Sequence, residues 1–154
     1  MTSRRDMVRL SAHVAGMLAT LGLLPRAVLA QAGWNRVAFE TKSLNEVMKA
    51  LGGAKPVESK DVILQVPDIE ENGAQVPIAA STLLPGVKRL LLLVEKNPNI
   101  LSAMFEFTDT VEPSVTIRLK MDQSSKVYAV MMMADGRVLF AQKDVAVTLG
   151  GCAD

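Results

Sequence analysis

From Lys60 onward, apolar and polar residues fall into short segments divided by turn residues, the pattern of a β-rich chain. Asp61–Val66 reads as a strand that stops at Pro67, and Gln75–Leu83 as a second strand that stops at Pro85-Gly86. Glu71-Asn72-Gly73 lies before the second strand and reads as a turn. Val87–Val94 is a nearly continuous apolar run, which predicts a central strand covered on both faces. Asn97-Pro98-Asn99 is a loop, and Ile100–Thr108 follows as a strand with Phe105 and Phe107 on one face. Ser114–Met121 alternates Val115, Ile117, Leu119 and Met121 with Thr116, Arg118 and Lys120, so it is half-buried. Lys126–Ala134 and Arg137–Lys143 flank Asp135-Gly136, a strong hairpin signal. Val145–Leu149 continues after a bend expected near Asp144.

Before Lys60 a single segment has helical spacing. Ser43 can cap it, Glu46 stands in the capping-box position, Leu44, Val47, Met48 and Leu51 form one apolar face, and Gly52-Gly53 ends it. About seven short strands and one docking helix predict an all-β chain. The expected architecture is an immunoglobulin-like antiparallel β-sandwich with one N-terminal helix. The Cys-Trp-Cys signature of immunoglobulin domains is absent, and aromatic residues make up only 4% of the chain. The core is therefore expected to be aliphatic and filled by methionine. Met131-Met132-Met133 raises the possibility of a copper(I) thioether site, but successive strand side chains point to opposite faces, so core filling is the expected use.

The first thirty residues read as a signal peptide. Arg4, Arg5 and Arg9 form a basic segment, Leu10–Leu24 an apolar one, and Val28-Leu29-Ala30 a small-residue cleavage site before Gln31. The apolar segment is too short to span a bilayer and is interrupted by Gly16 and Gly22, with Pro25 just after it. Ser3-Arg4-Arg5-Asp6-Met7-Val8-Arg9 resembles a twin-arginine signal, so Tat export is expected, with Sec as the alternative. The expected organisation is a signal at 1–30, a β-sandwich over 31–149 and a flexible C-terminal arm at 150–154.

Cleavage changes the chemistry that remains. Of 17 basic and 16 acidic residues, four bases (Arg4, Arg5, Arg9, Arg26) and one acid (Asp6) precede Gln31, which leaves 13 against 15. A mildly acidic domain is a poor ligand for nucleic acid or an anionic membrane. The one histidine, His13, also leaves. Without it the chain has no Ser-His-Asp or Cys-His catalysis and no histidine-containing zinc or copper site. One cysteine makes neither an internal disulfide nor a Cys-x-x-Cys pair, and no glycine-rich phosphate loop is present. Glu70-Glu71 could act as paired carboxylates but reads as a solvated turn. No catalytic, cofactor or metal site is therefore predicted, and the chain is not expected to act as an enzyme alone.

The remaining candidate is Cys152, in the ending Leu149-Gly150-Gly151-Cys152-Ala153-Asp154. Gly150 and Gly151 have wide φ/ψ freedom and form the expected flexible approach. Five residues beyond Leu149 extend at most about 16 Å. A thiol on such a tether can enter a narrow pocket and exchange reversibly with sulfane sulfur. No base lies beside Cys152, and Asp154 would raise rather than lower its pKa, so activation is expected from a partner's pocket. The competing readings are an idle or inter-chain disulfide-forming cysteine on a structural or interaction β-sandwich, and a methionine-based copper chaperone.

Several segments carry a family resemblance. Asp68-Ile69-Glu70-Glu71-Asn72-Gly73-Ala74-Gln75-Val76-Pro77 resembles the P-x-I-x-E-N-G-x-x-V-P stretch of SoxY proteins. Val94-Glu95-Lys96-Asn97-Pro98-Asn99 followed by Phe105-Glu106-Phe107-Thr108 is similar to their V-E-K-N-P-N … F-x-F segment. Lys120-Met121, Ala134-Asp135-Gly136 and Val147-Thr148-Leu149-Gly150-Gly151-Cys152 match as well. The resemblance implies a periplasmic sulfur carrier of immunoglobulin-like fold, paired with the β-sandwich protein SoxZ. It implies that the haem enzyme SoxAX joins thiosulfate to Cys152 as a cysteine S-thiosulfonate. SoxB would then release sulfate and SoxCD, where present, oxidise the remaining sulfane sulfur. Family tails read Gly-Gly-Cys-Gly-Gly, whereas this one ends Cys152-Ala153-Asp154. A diverged carrier for another sulfur species is thus the alternative within the family.

Overall fold

The computed structural model describes residues 35–149. The signal segment, Gly150, Gly151 and Cys152 lie outside the described residues. Two short helices come first, α1 (Arg36–Phe39) and α2 (Leu44–Leu51). Nine strands follow: β1 (Val57–Glu58), β2 (Ile63–Gln65), β3 (Ile69–Asn72), β4 (Val76–Ser81), β5 (Val87–Val94), β6 (Leu101–Glu106), β7 (Ser114–Leu119), β8 (Ser125–Met133) and β9 (Val138–Leu149).

The strands form a two-sheet sandwich. The larger sheet has the order β1-β9-β8-β5-β6, with β3 added to β9, and the smaller has the order β2-β4-β7. Hydrophobic alternation explains how the layers stack. Along β5, Leu90, Leu92 and Val94 face the inter-sheet core with Val127, Ala129 and Met131 of β8 and Val76 and Ile78 of β4. Leu91 and Leu93 face the opposite way, into a second core with Val47 and Met48 of α2 and Ala38 of α1. The helices thus cover the outer face of the larger sheet, and Leu90 through Val94 have no exposed surface. That double coverage is why β5 reads as an unbroken apolar run. Phe105 and Phe107 both pack against the inter-sheet core, as do Val115 and Ile117 of β7. Met131 and Met133 point into the inter-sheet core while Met132 points toward the helices, so the three thioethers do not converge.

The predicted helix forms over its predicted span. The Ser43 hydroxyl accepts the Glu46 amide at 3.3 Å, and Gly52 closes the other end at φ 69°, a left-handed conformation that favours glycine. The Glu46 carboxylate, however, accepts the amide of Lys42, one residue before the position a capping box would use.

Four expectations are corrected. The sandwich is not wholly antiparallel, because β1 and β3 both pair with β9 in parallel. Glu71-Asn72-Gly73 is not a free turn: Glu71 and Asn72 belong to β3, and Gly73 begins a 3-10 turn. No bend occurs at Asp144, since β9 runs unbroken from Val138 to Leu149 with Asp144 opposite Lys126 of β8. A second helix, α1, precedes the predicted one; Asn35 caps it by accepting the Ala38 amide at 3.2 Å.

Candidate functional site

The strand that leads toward Cys152 is β9, and its last turn-free stretch outruns its neighbour. β8 begins at Ser125, opposite Val145, so Ala146 through Leu149 extend beyond the antiparallel ladder. This overhang is poorly buried, with Leu149 64% exposed, and burial alone would not hold it.

Three sets of hydrogen bonds hold it instead. On one side β3 runs parallel, pairing Ile69 with Ala146, Glu70 with Val147 and Asn72 with Leu149. The Ala146 amide also donates to the Asp68 carbonyl at 2.9 Å. On the side that β8 has vacated stands Ser124. Its hydroxyl accepts the Val147 amide at 2.9 Å and donates to the Val147 carbonyl at 3.3 Å. One side chain thus replaces a missing strand residue. Thr148 adds a third tie, its hydroxyl donating to the Glu71 carbonyl at 3.1 Å.

These ties are themselves braced. The Asn72 side chain accepts the Ala74 amide at 2.9 Å, and the carbonyl of buried Gly73 accepts the Met121 amide at 2.7 Å. The Asn97 side chain donates to the Lys120 carbonyl at 2.7 Å and accepts the Asp122 amide at 3.1 Å, which fixes the loop carrying Ser124. The Ser125 hydroxyl, nearly buried, accepts the Lys96 amide at 3.0 Å. Lys42 reaches from the helix layer to the Pro98 carbonyl and the Asn99 side chain. The segments around Asp68–Gly73, Glu95–Asn99 and Lys120–Ser124, separate in sequence, therefore meet around the end of β9. Ala134-Asp135-Gly136 does not join them; it turns at the opposite end of the hairpin, with Gly136 at φ 87°.

A groove of about 340 Å³ lies beside this end, lined in part by Asp68, Glu95, Lys96, Lys126 and Asp144. Lys143 pairs with Asp68 at 2.9 Å and donates to the Val66 carbonyl. The Tyr128 hydroxyl donates to Glu95 at 3.2 Å. Burial, together with the Glu95 charge, pushes the Tyr128 hydroxyl up to about 12. Among the described residues there is no histidine or cysteine, and no three acidic, histidine or cysteine side chains gather as a metal site. The described site is thus mechanical: it gives the chain after Leu149 a fixed point of departure. The predicted residues Gly150, Gly151 and Cys152 lie outside the described residues, and Glu70 and Glu71 are strand residues of β3 rather than a catalytic pair. Ser124 was not singled out from sequence, because a serine in a polar loop carries no local signal of the strand it will bind; Asn97 and Thr148 stood only within the resemblance segments, with no role of their own.

Comparison with known proteins gives one family. The family model for sulfur oxidation protein SoxY matches residues 47–152. The solved structure of the sulfur carrier protein SoxY from Chlorobium limicola f thiosulfatophilum is 26% identical, covers 68% of this chain and 94% of its own, and superposes with a TM-score of 0.61. A superoxide reductase (neelaredoxin) from Ignicoccus hospitalis shares the fold at 20% identity and a TM-score of 0.51, over 56% of this chain and 79% of its own. No curated protein matches the sequence.

Proposed function

Because the chain belongs to the SoxY family, we propose that it carries sulfur covalently on Cys152, in the periplasm, and presents it to the enzymes of thiosulfate oxidation. The observation that carries this reading is the family match running through residue 152, beside a strand end tied down immediately before the two glycines that precede that cysteine. A SoxY protein is a carrier that other enzymes act on. The absence of histidine between residues 31 and 154 agrees with that division of labour.

The proposed cycle begins when the Cys152 thiol and thiosulfate form a sulfur–sulfur bond. One proton and two electrons are released, and the haem enzyme SoxAX takes the electrons. The product is a cysteine S-thiosulfonate. In the SoxB step water then adds to the sulfonate sulfur and the sulfur–sulfur bond to it breaks, releasing sulfate and two protons and leaving a persulfide anion on Cys152. SoxCD, where present, oxidises that sulfur. SoxZ is the proposed partner of the β-sandwich, and a twin-arginine signal at 1–30 the proposed export route. Gly150 and Gly151 supply the backbone freedom that lets a thiol be handed between pockets.

Replacing Cys152 by serine in cells that oxidise thiosulfate tests this reading. Thiosulfate-dependent sulfate formation should fall to background while the protein remains exported and folded. Undiminished sulfate formation would overturn it.

A further inference from the structure

Ser124 does for β9 what β8 no longer does. Just before β8 begins, a single hydroxyl engages both backbone groups of Val147, and the Thr148 hydroxyl ties the next residue to β3. From the β5–β6 turn, the Asn97 side chain and the Lys96 amide, which donates to Ser125, hold the Ser124 loop in place. We propose that Ser124, braced by Asn97, is a positioning residue that limits the length of free chain leading to Cys152, by keeping Ala146 through Leu149 in the sheet.

The inference rests on the carrier reading above, since tail length matters only if Cys152 is delivered to a partner. Its physical content is a count. With the overhang held, the sheet reaches Leu149, three positions before Cys152 in the sequence. With the overhang released, the ladder ends at Val145, seven positions before it. Four additional residues add up to about 13 Å of reach. Effective concentration at a target falls as roughly the −3/2 power of tether length, so the longer tail delivers its thiol roughly threefold less efficiently. A released overhang must also be ordered again each time the tail threads a pocket. Leu149 is exposed and Val147 only half-buried against the inter-sheet core, so apolar burial does little to oppose fraying here and the clamp supplies what is missing.

The test compares the full chain with Ser124→Ala and Ser124→Thr. Amide exchange at Val147–Leu149 should rise about tenfold in Ser124→Ala and stay close to the parent in Ser124→Thr, which keeps the hydroxyl. The rate at which the loading enzyme attaches thiosulfate to Cys152 should fall in Ser124→Ala, by up to the roughly threefold of full release since β3 and Thr148 still hold part of the overhang, and recover in Ser124→Thr. Reaction of Cys152 with a small soluble disulfide should not change, because that reagent needs no threading. Unchanged exchange in Ser124→Ala, or raised exchange with undiminished loading, would overturn the proposal. If the parent itself takes up no sulfur, the carrier reading fails and the positioning role falls with it; a loaded parent matched by an equally loaded Ser124→Ala variant sinks the positioning role alone. An equal fall in the small-disulfide reaction would also overturn it, by showing a general disturbance of the thiol.

Discussion

At the residue scale, the ending Cys152-Ala153-Asp154 departs from the Gly-Gly-Cys-Gly-Gly of the resemblance, and its consequence is electrostatic. A negative charge about 4 Å from an anionic cargo opposes it by about 1 kcal/mol in water, close to fivefold in rate. Replacing Ala153 and Asp154 by glycine should therefore speed enzymatic loading of Cys152 up to about fivefold. An unchanged or slower rate would mean that the tail is adapted to its own partners. Tyr128 offers a second residue-level check, since it is the one tyrosine in the chain. Near-ultraviolet absorbance should show its ionisation near 12, and Glu95→Gln should bring the midpoint down. The sign for stability follows. An unfolded tyrosine ionises near 10, so the folded state holds its proton longer. The stabilisation is present in full below about pH 10 and is lost as pH rises toward 12. Alkaline unfolding should therefore begin at higher pH in Tyr128→Phe, and an unshifted onset would contradict that assignment.

At the scale of elements, the parts with their own periodicity were legible. β5, β7 and β8 announce themselves because each alternates, or is covered on both faces. Helix α2 announces itself through Ser43 and Gly52. Removing that cap with Ser43→Ala should cost about 1 kcal/mol in chemical denaturation, with the native fold retained; no measurable loss would mean that packing of Val47 and Met48 alone fixes the helix. What was not legible depends on distant partners. β1 has two residues and β3 four, all largely exposed or half-exposed, and both exist as strands only because β9 lends them an edge. The polar stretch through Asp144 looked like a break because its outward residues face solvent and Lys126, not an apolar layer. The four-residue helix α1 is too short to show a period.

At the scale of the whole molecule, the sandwich has two cores, β9 lies between β8 and the short strands β1 and β3, and the motif segments gather where β9 ends. The motifs were visible in the sequence as a resemblance, but their common purpose was not. Asn97, Asn72 and Ser124 stand at separate positions along the chain and act together only once β5, β7 and β9 are stacked. The proposed cysteine was legible from composition and from its glycine approach, whereas the clamp that defines where this approach begins required the register of β8 against β9.

The most direct test of the carrier role is the intact mass of the mature protein, isolated without reductant from cells supplied with thiosulfate, beside a Cys152→Ser control. The account predicts added mass corresponding to a thiosulfonate or to further sulfur atoms, present in the parent and absent from the control. A bare thiol or a simple disulfide dimer, in cells actively oxidising thiosulfate, would contradict it.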